Sequence, residues 1–290
     1  MEDEQMDNEH IIQAENLVKR FGKLTAVDGL DITVNKGEIY GFLGPNGAGK
    51  TTTIRLLTTM EKPTSGSIVI DGHDTRTQFL KARRCIGVIQ QQNSLDKDLT
   101  VRENIFHHGM MQNLSIRKSK DRMEYLADLM ELSGRMGDKV SKLSGGWKKR
   151  VSIVCSLIHN PNILFMDEPT TGLDTQSRNM LWKMIRNINN QGTTIFLTTH
   201  YIYEAESLCD RVGIINKGRL IVEGTPAELK EMVGKFTLVI VDENGNEHTE
   251  YFQDMQSAKK ASLNASAGGS ISIRPTNLED VFLELTGGKL

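Results

Sequence analysis

Apolar residues in this chain come mostly in short runs separated by polar turns. Ile39–Leu43, Ile163–Met166 and Thr194–Thr199 are each four to six residues long and nearly continuous in hydrophobic or β-branched character. Runs of that length, bounded by glycine, proline or carboxylates, predict strands buried on both faces. Between Ile11 and Val34 the pattern is looser. Leu30, Ile32 and Val34 alternate with Asp31 and Thr33, the period of a half-buried strand, so this segment predicts short strands ahead of the first buried one. Ser67–Ile70, closed by Asp71-Gly72, and Ile86–Val88–Ile89 add two more. From about Thr100 to His159 the period changes. Met123, Leu126, Ala127, Leu129 and Met130 recur at helical spacing within Lys120–Leu132, with Gly134 as the expected stop, and the methionines read as core filler. A further helix is expected over Lys148–His159, its Lys148-Lys149-Arg150 start exposed to solvent.

Beyond the strand Val212–Ile215 and its Asn216-Lys217-Gly218 turn, Thr225-Pro226-Ala227-Glu228 forms a capping box with proline at the first helical position. After Gly234 a separate unit of strands and helices is expected. It comprises a strand at Phe236–Val241, a turn at Glu243–Asn246, a loop near Ser262–Ser270, a strand at Ile271–Arg274 and a helix capped by Thr276 and Glu279. The predicted division is an acidic leader (residues 1–10), a main domain (11–234) with a helical part at about 100–160, and a small α/β appendix (235–290).

The 290 residues carry a net charge of −2, and Glu2, Asp3, Glu4, Asp7 and Glu9 concentrate acid in the leader. The rest has only a small positive balance, so no basic field for nucleic acid is expected. No apolar run approaches the ~20 residues of a membrane span, and the acidic N-terminus has no signal-peptide pattern. The expectation is a soluble chain that meets a membrane only through a partner. Cys85, Cys155 and Cys209 are odd in number and form no C-x-x-C pair; they read as scattered buried thiols of a reducing compartment. His107-His108 has no further ligand at metal spacing and reads as a solvated pair.

Chemistry enters at Gly44-Pro45-Asn46-Gly47-Ala48-Gly49-Lys50-Thr51, between a buried strand and a predicted helix. The spacing matches G-x-x-x-x-G-K-[ST], a phosphate-binding loop. Its glycines let backbone N–H groups close around phosphate, and the helix adds its positive end. Lys50 supplies a cation within reach of the β- and γ-phosphates, and Thr51 a hydroxyl for Mg²⁺. Downstream, Ile163–Met166 ends in Asp167-Glu168, placing two carboxylates at the C-terminal end of a buried strand, where the first can hold Mg²⁺ and the second reach a water. Thr194–Thr199 delivers His200 in the same way. Phe21, in a loop with Gly22-Lys23, is either a core residue at a strand end or a stacking surface for a nucleobase; residues 21–34 alone leave both open.

With Leu143-Ser144-Gly145-Gly146 lying between the loop and the Asp167-Glu168 pair, and His200 following, residues 11–230 resemble the ATP-binding-cassette (ABC) family. The resemblance implies a P-loop α/β fold with a mixed, mainly parallel core sheet, an antiparallel β subdomain, a helical subdomain and the C-terminal appendix. It implies that ATP and Mg²⁺ bind at Gly44–Thr51, with Thr52 extending the phosphate contacts. Gln91 corresponds to the family's metal- or water-contacting glutamine; its spacing to the Leu99–Asn104 run favours it over Gln90 and Gln92. Asp167 corresponds to the metal-holding aspartate, Glu168 to the catalytic base, His200 to the γ-phosphate switch residue, and Phe21 to the adenine-stacking aromatic. Ser144, Gly145 and Gly146 correspond to the signature, and Thr171–Asp174 to the family's D-loop, with Asp174 among the nucleotide-binding residues. Trp147 departs from the usual glutamine, and its bulk is expected to alter packing on the base or ribose side.

In this family the signature completes another subunit's site, which implies a homodimer or a closely related partner. Arg274–Gly287, Gly41–Gly44 and Thr170–Asp174 further resemble drug- and polysaccharide-export ATPases, which work with a separate membrane permease. The implied role is that of an export ATPase at the cytoplasmic face of the cell membrane. A soluble ABC ATPase acting on ribosomes or DNA is the alternative, disfavoured by a single cassette without long coiled coils. Cargo selectivity lies mainly in the permease.

Overall fold

The computed structural model describes residues 10–91, 95–264 and 269–287. The acidic leader therefore falls outside the described residues except for His10, as does Gln92. The chain opens with β1 (His10–Phe21) and β2 (Leu24–Asn35), then β3 (Ile39–Leu43) and α1 (Lys50–Leu57). β4 (Ser65–Ile70), β5 (His73–Asp74), α2 (Phe79–Arg84) and β6 (Ile86–Ile89) follow. Three helices come next, α3 (Val101–Met111), α4 (Ile116–Leu129) and α5 (Gly145–Leu157). The chain then alternates through β7 (Ile163–Asp167), α6 (Thr175–Asn190), β8 (Thr194–Thr199) and α7 (Ile202–Leu208), and turns back in β9 (Arg211–Asn216) and β10 (Arg219–Gly224). Last are α8 (Pro226–Val233), β11 (Phe236–Val241), β12 (Glu247–Phe252), α9 (Met255–Asn264), β13 (Ser270–Pro275) and α10 (Leu278–Thr286).

The central sheet has the order β10-β9-β3-β8-β7-β6, parallel except for the β9–β10 hairpin. Every residue of β3, β7 and β8 is buried, which is why their sequences are continuously apolar rather than alternating. The pleat divides those side chains between two cores. Tyr40, Phe42, Phe165 and Phe196 face the antiparallel β2-β1-β4-β5 sheet and cluster around Phe196, at centroid distances of 5.4–5.8 Å. Ile39, Leu43, Leu164, Met166, Ile195 and Leu197 face the helices. All the strands of the parallel set end at one edge, where ligands of such sheets bind.

Local chemistry moves several boundaries away from those expected. The segment before β3 forms two 12-residue strands rather than short ones, because register shifts absorb its irregular positions, including Asn16 at φ +47°. α4 starts early, at Ile116, since Ser115 accepts a hydrogen bond from the Lys118 N–H. It ends at Leu129, since Glu131 turns left-handed at φ +57°; Gly134 lies beyond it in the 3₁₀ turn Ser133–Arg135. α9 runs to Asn264 through part of the expected loop, started by Asp254, whose carboxylate accepts from the Ser257 N–H; residues 265–268 are outside the described set. α10 is capped by Asn277 and Asp280, not by Thr276 and Glu279. Thr276 is buried instead and pairs with the Thr237 hydroxyl at 3.0 Å. The expected cap of α8 by Thr225 and Glu228 is present.

β12-β11-β13 is a third, antiparallel sheet. Its helix α10 packs Leu278, Val281 and Phe282 into the same core as Ala205 and Leu208 of α7 and Leu229 of α8. Among the described residues no helix is long and apolar enough to cross a membrane.

Candidate functional site

At the end of β3 the backbone admits only glycine at two points. A Cβ on Gly44 would lie 2.4 Å from the Ile215 carbonyl oxygen; one on Gly49, at φ +110°, would lie 2.5 Å from that of Ala26. The loop between them leads straight into α1, whose first residue is Lys50. This lysine is buried, and its Nζ donates to the carbonyls of Gly44 (2.7 Å) and Pro45 (3.1 Å) while lying 3.3 Å from Glu168 Oε1. Burial lowers its pKa, partly offset by the Glu168 and Asp167 carboxylates.

Thr51, one residue on, donates from Oγ1 to Asp167 Oδ1 at 3.3 Å, and the same carboxylate oxygen accepts from Thr198 Oγ1 at 2.6 Å. Asp167 closes β7 and Thr198 lies in β8, so the parallel pairing itself sets this contact. Glu168 follows in a left-handed conformation, φ +45°, rare for a residue with a side chain. Its N–H is held by both the carbonyl and the hydroxyl of Thr198. That turn swings the carboxylate out of the strand line and into the loop's mouth.

Four side chains from four different segments meet Glu168. Lys50 Nζ and His200 Nδ1 each lie 3.3 Å from Oε1; Thr171 Oγ1 donates to Oε2 at 3.2 Å, and Gln91 Nε2 reaches it at 3.5 Å. Burial pushes the Glu168 carboxyl upward, but the charges of Lys50 and His200 outweigh this and hold it below the ordinary glutamate value. It is therefore a carboxylate near neutral pH, available as a proton acceptor. Gln90 turns instead toward Met60.

A cavity of about 550 Å³ joins Lys50, Gln91 and Glu168 to Phe21, the last residue of β1, through Asn46, Gly47, Thr51 and Thr52. Phe21 is 46 % exposed, with Lys19 Nζ 4.8 Å from its ring centroid, so of the two readings of this residue the core one is excluded. Lys217 and Gly218 of the β9–β10 turn also line the cavity, which the sequence showed only as a hairpin turn. Gly218 donates its N–H to Ala48 O and accepts from Asp28 N–H, both at 2.9 Å, bracing the loop against β2. No local pattern marks that role, because the contact spans some 170 residues of sequence.

The remaining predicted residues gather elsewhere. Ser144 is the N-cap of α5 without a side-chain cap bond, and Gly145 and Gly146 open the helix. Asp174 caps α6, its carboxylate accepting from both the N–H and the hydroxyl of Ser177 at 2.8 Å. Between these two helix starts lies a second cavity, of about 210 Å³, lined by Ser144, Gly146, Trp147, Leu173 and Ser177. The tertiary structure of one chain thus joins Phe21, Gly44–Thr52, Gln91, Asp167, Glu168 and His200, and leaves Ser144, Gly145, Gly146 and Asp174 outside that cavity.

Two expectations need correction here. Lys149 and Arg150 are buried, not solvated, because α5 begins at Gly145 and turns them inward. Arg150 donates to Met130 O (3.1 Å) and Glu131 (2.8 Å) and also contacts Met180 Sδ. Trp147 is half-buried, with the guanidinium groups of Arg135 (4.5 Å) and Arg150 (4.3 Å) over its ring. Of the histidine pair only His107 is solvated. His108 is half-buried, and burial lowers its pKa. Cys155 and Cys209 are buried as expected, and Cys85 partly so; burial raises the Cys85 thiol to about 11 and that of Cys155 to about 12.

Among the described residues no group of three His, Cys, Asp or Glu side chains is placed to hold a metal ion. The donors at Thr51 and Asp167 are hard oxygens 3.3 Å apart. That set suits Mg²⁺, which accepts one or two protein oxygens and completes its shell with phosphate and water.

Comparison with known proteins gives the family. The family described as ABC transporter matches residues 27–171. Nod factor export ATP-binding protein I of Burkholderia lata is 39% identical, over 96% of this chain and 98% of the relative. The protein of the same name from a Rhizobium species is 38% identical, over 94% and 95%. Among solved structures, cbiO1 from Clostridium perfringens, part of the ABC transporter complex cbiONQ, superposes with a TM-score of 0.71 at 28% identity, covering 78% of this chain and 93% of that one. A dimeric ATP-binding cassette in a post-hydrolysis state, bound to ADP and phosphate, gives 0.67 at 27% identity, over 74% and 98%.

Proposed function

The chain belongs to the ABC transporter family and is an ATP-hydrolysing subunit of it, and from that premise we propose that it drives export through a separate membrane permease, with Glu168 as the general base. The observation that carries the assignment is the convergence of Lys50, His200, Thr171 and Gln91 on the Glu168 carboxylate at the ends of the parallel strands.

The cradle of Gly44–Thr52 binds the phosphates of ATP through backbone N–H groups and the positive end of α1. Lys50 then exchanges the Gly44 and Pro45 carbonyls and Glu168 for β- and γ-phosphate oxygens. That exchange frees Glu168 to accept a proton from the attacking water. Thr51, Asp167 and Gln91 would hold Mg²⁺, which when bound neutralises charge developing on the phosphates. His200 and Lys50 offset the charge on the γ-phosphoryl oxygens as the in-line displacement proceeds. Phe21 supplies the stacking face for adenine. Ser144, Gly145, Gly146 and Asp174, which lie outside the cradle of their own chain, complete the cradle of a second copy in a head-to-tail dimer. The ADP-bound structural neighbour is itself dimeric, which supports a dimer here. We assign residues 11–234 to the nucleotide-binding domain, with residues 100–160 as its helical part, and residues 235–290 to a C-terminal unit. The export role of the relatives extends to this chain by their full-length similarity, and with it a peripheral position at the cytoplasmic face of the membrane.

Glu168→Gln keeps the shape of the site and removes the base. Turnover should fall by roughly 10²–10⁴-fold while an ATP-bound dimer accumulates on size-exclusion chromatography; turnover at the wild-type rate would remove the assignment. Affinity capture from solubilised membranes should recover an integral membrane protein in stoichiometric amount. Recovery of ribosomes or DNA in its place would favour a soluble ABC ATPase.

A further inference from the structure

Glu204, in the first turn of α7, is completely buried although nothing in the reaction above uses it. Its Oε1 accepts a hydrogen bond from Trp182 Nε1 of α6 at 3.0 Å. Two more groups face the same carboxyl, the hydroxyls of Thr199 and Thr170. Thr199 Oγ1 already accepts the Tyr201 N–H at 2.9 Å, which leaves its own proton for the carboxyl. Thr170 Oγ1 and Glu204 Oε2 are each buried without a hydrogen-bond partner of standard geometry among the described residues. Burial raises the Glu204 pKa, opposed by Thr199, Trp182, Thr170 and the charge of Arg178. Lys149 from α5 and Arg178 from α6 are cations that interact electrostatically with the carboxyl.

The placement of the two threonines gives the buried acid its consequence. Thr170 precedes Thr171, which donates to Glu168 Oε2; Thr199 precedes His200, which lies against Glu168 Oε1. The two loops that bracket the Glu168 carboxylate thus each present a threonine, one residue behind the contact, to the same buried side chain. We propose that Glu204 is a positioning residue which braces both loops and so fixes the orientation of Glu168 for proton transfer. This deepens the general-base assignment and rests on it. A carboxylate held at a left-handed backbone position needs such support, since misplacement of about an ångström at a reacting group can cost on the order of a hundredfold.

The test uses the purified full-length chain, steady-state ATPase kinetics and binding of a fluorescent ATP analogue. Glu204→Ala should lower kcat roughly ten- to hundredfold and leave KM and analogue affinity at wild-type values. Glu204→Gln, whose amide offers both an acceptor and an N–H donor, should restore most of the turnover. In a Glu168→Gln background, Glu204→Ala should add no further loss, because both act through one carboxylate. Wild-type kcat in Glu204→Ala, an equal defect in Glu204→Gln, a defect confined to KM, or full additivity with Glu168→Gln would each overturn the brace. Wild-type turnover in Glu168→Gln alone would remove the general base and the brace together. An inactive Glu168→Gln with an unaffected Glu204→Ala would remove the brace only. Should Glu204→Ala fail to fold, Thr170→Val carries the same expectation of lowered kcat at unchanged affinity, and an unchanged kcat there overturns the proposal.

Discussion

The phosphate cradle and the start of α5 are both glycine-rich approaches to a helix, yet the chain treats them differently. In the cradle each functional side chain finds partners in its own chain: Lys50 with two loop carbonyls and Glu168, Thr51 with Asp167, and Asp167 with Thr198. At α5, Ser144 makes no cap bond, and a Cβ on Gly145 would meet nothing within 4 Å. Polar satisfaction is internal in the first region. In the second, the conspicuous contacts lie behind the helix start, where Trp147 and Arg150 anchor it to Arg135, Met130 and Glu131. One region closes its contacts on itself; the other has its contacts behind the helix start.

The strongest challenge to that contrast is complementation. Lys50→Ala disables the cradle and Ser144→Arg the helix start, and each homodimer should lose at least about a hundredfold in turnover. A mixture of the two forms heterodimers in which one composite site carries both defects and the other none, so ATPase activity should return. Absence of recovery, with heterodimers present on mass analysis, would mean that the two regions do not serve one site in trans.

A smaller effect sharpens the same contrast from behind. Arg150→Ala leaves the Met130 carbonyl without its guanidinium and Trp147 without one of its two cations. It should cost about 1–3 kcal/mol of stability, read as a fall of several degrees in Tm. Nucleotide affinity of the monomer should stay at the wild-type level. A loss of affinity in parallel with Tm would show that the two regions are not mechanically separate.

The cradle was legible from residues alone because its requirements are local: a buried strand, glycines where the backbone must close, a lysine and a threonine at the helix start. Asp167-Glu168 and His200 were legible for a similar reason, each closing an apolar run. What no run reveals is how those strand ends lie beside one another. The support of the loop by Gly218, the burial of Lys149 and Arg150, and the approach of Thr170 and Trp182 to Glu204 all depend on segments separated in sequence. Arg150 shows the limit well, since a Lys-Lys-Arg run has the composition of a solvated face, and only the crossing of α5 by α4 and α6 turns it inward.

By itself the sequence determined the strand–loop–helix that binds phosphate, the identity of the carboxylates and histidine beside it, and the alternation of strands and helices. Those follow from side-chain period and from backbone geometry over a few residues. Only the tertiary structure decided that Lys50, His200, Thr171 and Gln91 share one carboxylate, that Ser144–Gly146 lie apart from it, and that Glu204 lies behind both loops. Contacts of that kind arise from strand order and helix packing, in which segments such as those of Lys50, Gln91 and His200 become neighbours of Glu168 through the burial of surfaces that no local pattern specifies.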